Sequence, residues 1–536
     1  MRLVILILVL GLSQHSIQAA WLVERNQLSG YKSDSMIIPL AVSLGLREVR
    51  FADGEVWKGE PNRTAFDPRT RRYTAEYPWG TIMMQFDDEP NAGNIRIRVD
   101  NRSRKDLEGL QWDIARVTLP EVPRGWAWAE NRNLSTQSMD DVAILTAPMP
   151  AEVFAVWNQQ VDQVVGLALA PVGRSATTER ILRFNTAPQS FPGNNDAPIP
   201  PGGHRVYWLK VRIAAPGSDA FDAAPEVYAA FREKHPPLLQ WEDRRPIAMV
   251  MIASAGKMHQ SASNPRGWFS DPNIDALGKY HPERLGDYAE RFAHDIIRVT
   301  RDLNAQGVIV WDVEGQQYPN ITYVGDPRMI ETLAPEMDRH IDFFFETLYR
   351  AGLRVGVCIR PSRIRAATED GARHPWRHVN MGYDIVEEMS AKIDYAKERW
   401  GCTLFYIDTN VNWGFDRDRK PVSWLMRAEL LRELVKRHPD VLLVPEFGRL
   451  AYYGLVAPYG ELRNHTFGNI ARTSDVVRKV YPEVFRIVNI VDGDIEGRRR
   501  DLVRGVREGD VLMTHGWWWA GPHGSAVVSI YQEAAE

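Results

Sequence analysis

The pattern of apolar and polar residues changes once along the chain, near residue 240. Before that point, short stretches alternate apolar with polar residues, and Gly, Pro, Asn and Asp interrupt them often. Clear examples are residues 80–86, 94–100 and 204–213. Alternation with a period of two is typical of half-buried antiparallel strands. Residues 21–240 are therefore predicted to form an antiparallel β-sandwich, with one helix at 223–234 leading out of it.

After residue 245, nearly continuous apolar stretches take turns with longer helical patterns. Eight stretches are predicted as strands: 247–254, 308–313, 354–359, 403–407, 441–444, 453–457, 485–491 and 511–515. Helices are predicted at 285–304, 329–351, 383–400, 422–437 and 498–507. Apolar strands alternating with helices are typical of parallel strands that are covered on both faces. Eight such units predict an α/β fold of the TIM-barrel type, (β/α)8, over residues 241–536.

The sixth strand is the weakest part of this prediction. The link that leads to it, residues 446–453, is too short for a full helix. Either that helix is lost or the sixth strand lies elsewhere.

The first twenty residues have the three regions of a secretory signal. Met1 and Arg2 precede an apolar run at 3–12, and residues 13–20 end in two alanines. The apolar run is shorter than the roughly 20 residues that a membrane-spanning helix needs, and no later segment is long enough. We therefore expect residues 1–20 to be a signal peptide. The protein is expected to be exported, to the periplasm or outside the cell, without a membrane span.

Composition narrows the classes of function. The 536 residues include 65 Lys and Arg against 69 Asp and Glu, a formal net charge of −4, which excludes the basic footprint of a nucleic-acid-binding protein. Hydrophobic residues at 44% and charged residues at 25% are typical of a soluble globular protein. The two cysteines, Cys358 and Cys402, lie in apolar runs, so buried free thiols are favoured over a disulfide.

The residues that follow the predicted barrel strands are unusually acidic. Active sites of such barrels lie at the carboxyl ends of the strands. A single carboxylate there is often only a helix N-cap. Four of eight strand ends carry one, which capping explains poorly because the carboxylates repel each other. They are Asp312 and Glu314 on strand two, Asp408 on strand four, Glu446 on strand five, and Asp492 and Asp494 on strand seven.

Asp408 and Glu446 form the best candidate pair. Glycoside hydrolysis needs two carboxyl groups, one protonated to assist the leaving oxygen and one ionised. These two residues follow neighbouring strands about 4.8 Å apart, which suits the roughly 5 to 5.5 Å carboxyl separation of retaining enzymes. Asp408 is predicted as the nucleophile, with Asn410 able to hydrogen-bond its ionised form. Glu446, in apolar company, is predicted as the acid/base, and strand seven supplies the alternative acid.

Other strand-end residues are predicted to contact substrate, either by hydrogen bonds or by stacking on a sugar ring. They are Asp312, Glu314, Arg360, Asn410, Asp492, Asp494, His515, Trp517 and Trp518. His-Glu-x-x-His, Gly-x-Ser-x-Gly and phosphate-cradling glycine motifs do not occur. We expect no cofactor and assign no metal ligands, although the acidic loop at 416–418 could hold Ca²⁺ as easily as water.

The layout resembles that of glycoside hydrolases acting on α-linked sugars, the broad α-amylase and α-galactosidase group. Asp408, Glu446 and Asp492 on strands four, five and seven are similar to the nucleophile, acid/base and stabilising Asp of the α-amylase clan. The segment Gly-Leu-Arg-Val-Gly-Val-Cys-Ile-Arg-Pro at 352–361 also resembles the one that enters strand three of such barrels. α-Galactosidase-like enzymes instead take their acid/base from strand six, where the first carboxylate in this chain is Glu461.

The α-N-acetylgalactosaminidases also place a sandwich, of the mutarotase-like supersandwich type, before the barrel. The resemblance implies an exported, retaining glycoside hydrolase that cleaves an α-linked glycoside in an oligosaccharide or polysaccharide. The alternative is a non-catalytic carbohydrate-binding protein that kept the barrel cleft, although a pure binder would not need a carboxylate pair. The sequence specifies neither the sugar nor the oligomeric state.

Overall fold

The computed structural model describes most of the chain between Ala20 and Glu536. The described residues are 20–33, 36–120, 142–149, 152–161, 163, 165–172, 178–186, 197–253, 266–269, 281–315, 325–366, 376–379, 384–412, 424–463, 469–490, 493–516 and 521–536. They divide into two compact units, the first reaching Phe231 and the second running from Arg232 to Glu536.

The described strands of the first unit form two antiparallel sheets of seven strands each. In chain order, β1 to β14 are Ala20–Glu24, Gln27–Lys32, Ile37–Phe51, Val56–Trp57, Arg63–Asp67, Arg72–Tyr77, Gly80–Glu89, Ala92–Asn101, Leu107–Thr118, Ile144–Pro148, Val153–Asn158, Gly166–Pro171, Glu179–Asn185 and His204–Ala214. One sheet has the order β1-β2-β3-β9-β13-β12, with β4 paired to β3, and the other has the order β10-β11-β14-β8-β7-β6-β5.

Both sheets contribute to one apolar core. Trp21 on β1 meets Phe86 on β7 with ring centroids 5.1 Å apart, and Phe184 on β13 meets Tyr207 on β14 at 5.0 Å. Residues 82, 84 and 86 of β7 and residues 95, 97 and 99 of β8 are buried apolar side chains of this core, as the period-two pattern predicted. Two helices follow the last strand, Ala220–Ala223 and Pro225–Lys234.

The second unit contains one sheet of eight parallel strands. Barrel strands one to eight are Ile247–Val250, Gly307–Val310, Arg354–Ile359, Leu404–Ile407, Leu442–Pro445, Tyr459–Glu461, Ile487–Asn489 and Val511–Gly516. Their order in the sheet is five-four-three-two-one-eight-seven-six. Strands five and six therefore lie at its two edges, and the backbone N–H of Ala457 donates to the Leu443 carbonyl at 3.1 Å between them. The sheet is a nearly closed barrel.

Helices separate most of these strands, as predicted. The α-helices described in this unit are Leu285–Asp302, Ile330–Leu333, Pro335–Arg350, Ile385–Trp400, Ala428–Arg437, Leu450–Tyr453, Asp475–Val480, Arg499–Arg507 and Gly521–Ala535. Short 3₁₀ turns at Pro282–Arg284 and Pro327–Met329 precede two of them, and two small hairpins pair Arg363–Ala366 with Trp376–Val379 and Val411–Asn412 with Trp424–Leu425.

The helix Ile385–Trp400 shows how the sequence sets these boundaries. It begins at Asp384, whose carboxylate accepts hydrogen bonds from the backbone N–H groups of Val386 and Glu387. It ends at Gly401, whose φ of 70° is a left-handed conformation that glycine adopts without a steric penalty. Among the described residues, no helix is both long and apolar enough to cross a bilayer.

The sixth strand lies further along the chain than predicted. Residue 453 ends the one-turn helix Leu450–Tyr453, and the apolar run that follows makes turn bonds from Leu455 and Val456 back to the Tyr452 carbonyl. The strand begins only after Pro458 and is three residues long. The run was mistaken for a strand because it is short and apolar, and periodicity cannot distinguish such a run from buried helix or turn.

The barrel interior is filled by alternate residues of the strands. The inward-facing core side chains include Ile309, Cys358, Leu404, Tyr406, Leu442, Val444, Tyr459 and Ile487. Cys358 and Cys402 are buried free thiols, as predicted.

Gly356 on strand three provides a test of how closely strands three and four approach. A Cβ atom there would lie 1.9 Å from the backbone oxygen of Leu404 on strand four. Because no rotamer change relieves a clash with backbone, Gly356→Ala is expected to lower the free energy of unfolding by about 3 kcal/mol.

Gly352 precedes the same strand and supplies the control. It has a φ of 80° and open space around its Cα, so Gly352→Ala should add only left-handed strain, about 1 kcal/mol. Urea denaturation of both variants measures the difference. Equal losses would contradict the close approach of the strands.

Candidate active site

Strand alternation places Asp408 and Glu446 at the mouth of the barrel, facing inward. Strand four pairs with strand five in parallel, with Ile407 opposite Pro445. Tyr406 and Val444 face the interior, so the residues two positions further on face the same way. The predicted placement on neighbouring strand ends is confirmed.

The side chains of Asp408 and Glu446 are hydrogen-bonded to each other. Burial, and then the negative charge of Glu446, raise the pKa of Asp408 well above its usual range. Burial also raises the pKa of Glu446. Two like charges in contact in a region of low polarity are strongly unfavourable, so ionisation of one group disfavours ionisation of the other.

Arg360, at the end of strand three, supplies the positive charge beside this pair. Its Nη2 donates to Oδ2 of Asp408 at 3.1 Å, and its Nε donates to the Asp408 backbone carbonyl. Its own backbone N–H donates to the Gly325 carbonyl at 2.8 Å. A guanidinium favours negative charge on the carboxylates near it, and Arg360 also lowers the pKa of Glu446.

A fully buried lysine supports the segment that carries Arg360. Lys392, on the helix Ile385–Trp400, donates to the backbone carbonyls of Arg360 and Ser362 at 2.8 and 2.5 Å. Its Nζ lies 3.7 Å from Asp326 and 4.0 Å from Glu388, two buried carboxylates. Paired charges and carbonyl contacts make burial of this ammonium tolerable.

Asp312 and Glu314, which were predicted as substrate contacts, are both buried, and each accepts a hydrogen bond from a backbone N–H. Strand two presents Trp311 to the barrel interior, so the residue after it points to the opposite face. Asp312 accepts a hydrogen bond from the backbone N–H of Ile252 at 2.9 Å, and Glu314 accepts one from that of Asp326 at 3.0 Å. Burial raises the pKa of each to about 7. Both carboxyl groups brace loops.

Asn410 has a different partner from the one predicted. The two hydrogens of its Nδ2 are donated to the Phe447 carbonyl at 3.0 Å and to the Tyr452 hydroxyl at 3.4 Å. Its Oδ1 accepts from the Phe447 backbone N–H at 2.8 Å. The side chain therefore has no hydrogen left to donate to the carboxylate of Asp408.

Sequence reasoning left a third inward carboxyl group, Glu461, out of the site. It ends strand six, is buried, and accepts hydrogen bonds from the Tyr459 hydroxyl at 2.9 Å and from Arg463 Nε at 2.6 Å. Its negative charge raises the pKa of Glu446, after the larger effect of burial. Alternate residues of a strand face the same side, so Glu461 could have been identified from its position two residues after the inward-facing Tyr459. It was missed because the strand had been placed at 453–457.

The remaining residues that were predicted to contact substrate are Asp494, which is described, and others whose side chains are not described and which stay predictions. Asp494 is exposed and accepts from the backbone N–H of Gly497 at 2.8 Å, so it stabilises a turn. His515 lies on strand eight opposite Met249, and its side chain is outside the described part of the chain. Three more residues, and the acidic loop at 416–418, also lie outside the described residues: Asp492, Trp517 and Trp518. Within those described, no group of three or more His, Cys, Asp or Glu is arranged to hold a metal ion.

Comparison with known proteins identifies the fold. No protein-family model matches the chain, and no curated protein sequence matches it. Among solved structures, an α-N-acetylgalactosaminidase from Bifidobacterium bifidum, in complex with GalNAc, matches with a TM-score of 0.56 at 8% identity, over 96% of this chain and 92% of that one. A likeness at this identity shows a shared fold.

Two further solved structures match with lower scores. A GH36 α-galactosidase from Geobacillus stearothermophilus, in complex with stachyose, has a TM-score of 0.38 and 10% identity, over 94% of this chain and 78% of that one. An α-galactosidase from Lactobacillus brevis has a TM-score of 0.37 and 10% identity, over 97% of this chain and 72% of that one.

Asp312 should make the stability of the fold depend on pH. Its carboxyl has an ordinary pKa of 3.8 but holds its proton in the folded state up to about 7. Between these values the unfolded chain binds fewer protons, so stability falls as pH rises, by about 1.4 kcal/mol per pH unit from this group. Asp312→Asn imitates the protonated acid and should lose this part of the slope.

Urea denaturation between about pH 4 and about pH 7 measures the slope directly. The variant should be more stable than the natural protein at neutral pH. Glu283→Gln, at a side chain that is 70% exposed, is the control and should keep the natural slope. An unchanged slope in Asp312→Asn would show that this carboxyl is already ionised in the folded protein.

Proposed function

We propose that this chain is an exported, retaining glycoside hydrolase that cleaves an α-linked glycoside. The observation that carries the proposal is the pair of hydrogen-bonded carboxyl groups at the ends of paired strands, with Asp408 buried and Glu446 half-buried. Retaining hydrolysis requires two carboxyl groups close together, one ionised and one protonated. A pair that holds one proton is in that state before substrate arrives.

The surroundings of the two groups assign their roles. Arg360 contacts Asp408 directly and favours its ionised form, which makes Asp408 the nucleophile. Burial raises the pKa of Glu446, although the hydrogen bonds with Thr409 and Asp408 and the charge of Arg360 lower it. We assign Glu446 the role of the acid because the ion pair described for Arg360 is with Asp408.

The reaction then takes two steps. The Glu446 carboxyl donates its proton to the glycosidic oxygen while a carboxylate oxygen of Asp408 attacks the anomeric carbon, and a glycosyl ester forms as the bond to the leaving group breaks. Glu446, now ionised, takes a proton from water, and the resulting hydroxide displaces Asp408 from the anomeric carbon. Two inversions restore the original α configuration.

Aromatic side chains close the barrel beneath the pair. The ring of Trp311 lies 5.4 Å from that of Tyr406, which lies 5.4 Å from that of Tyr459. The packed rings exclude water from below, and this keeps the carboxyl pair in a region of low polarity where proton transfer to the substrate is favoured.

Further observations support the finer features of the proposal. The fold shared with a protein named as an α-N-acetylgalactosaminidase supports an α-linked substrate, and we propose an oligosaccharide or polysaccharide. The signal-like residues 1–20 support export. The two antiparallel sheets with one core support the predicted sandwich of the supersandwich type.

Incubation with a panel of nitrophenyl α- and β-glycosides and short oligosaccharides tests the function. Hydrolysis of an α-glycoside, with the α-anomer as first product by proton NMR, is the expected result. If sugars bind and none is cleaved, the chain is a carbohydrate-binding protein instead.

Replacing Asp408 by Ala should abolish turnover of every substrate, because no glycosyl ester can form without the nucleophile. Added azide should restore some cleavage of an activated α-glycoside and give the β-glycosyl azide, since one displacement inverts the configuration. Product analysis by NMR makes the assignment. Ordinary activity in Asp408→Ala would remove this residue from the mechanism.

Replacing Glu446 by Ala should affect substrates unequally. General acid assistance contributes about 10² to 10⁴-fold when the leaving group is poor, and much less when it is an activated nitrophenolate. Azide should here attack the glycosyl ester and give the α-glycosyl azide. Rates measured across leaving groups of different basicity test this, and equal losses on all of them would move the acid to Glu461 or to strand seven.

A further inference from the structure

Asn410 joins the ends of strands four and five. Its side chain is fully buried, two residues beyond Asp408. Its amide meets both backbone groups of Phe447, the residue after Glu446, accepting from the N–H at 2.8 Å and donating to the carbonyl at 3.0 Å. The amide therefore pairs with Phe447 as another strand would.

This contact continues the ladder between the two strands past its last backbone bond. The backbone N–H of Glu446 donates to the Ile407 carbonyl at 3.2 Å. Beyond that bond, the side chain of Glu446 is hydrogen-bonded to Thr409 and Asp408, and the Asn410 amide holds the backbone of the next residue, Phe447.

A third segment holds the asparagine in place. The backbone N–H of Met426 donates to the Asn410 carbonyl at 2.9 Å. The hydroxyl of Tyr452, a fully buried side chain, receives a hydrogen bond from Nδ2 of Asn410 and donates to the Met426 carbonyl. Both ends of the amide are engaged by protein, so it presents no donor to a substrate.

We propose that Asn410 is a positioning residue that sets the separation between the carboxyl groups of Asp408 and Glu446. Without its amide, the backbone after Glu446 loses its described hydrogen bonds to the end of strand four, and the carboxyl groups move apart. A misplacement of about 1 Å at reacting groups can lower a rate by about 10²-fold.

The pH dependence of kcat/KM tests this, and it rests on the proposed function. Like charges at short range push the two apparent pKa values of a coupled pair apart. In Asn410→Ala the acidic limb should therefore move up and the basic limb down, with kcat about 10²-fold lower and KM nearly unchanged. If KM rose while the bell-shaped pH profile of kcat/KM kept its natural width, the proposal would be overturned and Asn410 would be a substrate contact.

Asn101 in the first unit offers a matched control. It is also fully buried, and its Nδ2 donates to the backbone carbonyls of Lys105 and Ile199, each at 2.8 Å. Asn101→Ala loses comparable hydrogen bonds and should lower the thermal midpoint to a similar degree, but it should leave the bell unchanged. An equal narrowing in both variants would show a general effect of lost stability and overturn the proposal.

Infrared titration of the protein alone separates this proposal from the proposed function. The protonated carboxyl signal that disappears in Asp408→Asn reports the pair without any substrate. Its two midpoints should lie closer together in Asn410→Ala than in the natural protein, whether or not a glycoside is cleaved. Unchanged midpoints would overturn the positioning role, whereas absent hydrolysis with altered midpoints would contradict only the function.

Tyr452→Phe carries the test if Asn410→Ala does not fold. It removes the hydroxyl that anchors the amide and leaves no cavity. The midpoints should shift in the same direction by a smaller amount, and an unchanged titration would overturn the proposal.

Discussion

Two carboxyl groups held against each other away from water are unfavourable unless other groups compensate them. The rest of the second unit can be understood from this constraint. In the proposed mechanism, one proton shared by Asp408 and Glu446 removes one of their two charges, and Arg360 offsets the other. Lys392 then holds the segment of Arg360 from behind, so the compensation extends to a buried network of ion pairs.

The sequence predicted the acidic pair because that prediction needed only local patterns. Apolar runs marked strands four and five, and the residues after them are the acids. The same reasoning predicted Asp312 as a substrate contact, but it counted residues past an apolar run without asking which face each one takes. Trp311 takes the inward position on that strand. Because side chains alternate between the two faces, the next residue, Asp312, points to the other face.

Other parts of the site depend on contacts that no local pattern contains. Asn410 meets a backbone 37 residues away, and Lys392 reaches carbonyls 30 and 32 residues back along the chain. Each looks ordinary in the sequence, an asparagine after a strand and a lysine on a helix. Glu461 was missed for another reason, because its strand is only three residues long and follows a proline.

The two edge strands of the barrel sheet, five and six, meet at a seam that has no strand ladder in the described part of the chain. Glu446 follows strand five, and Glu461 is the last residue of strand six. A single described backbone bond, from Ala457 to Leu443, crosses the seam. Elsewhere in the sheet, changing the distance between neighbouring strand ends means breaking a ladder. At the seam, a different length or composition of the link around Pro458 changes that distance while the other ladders stay intact. The width of the cleft can therefore be changed at this one place in the barrel, either by natural sequence variation or by engineering.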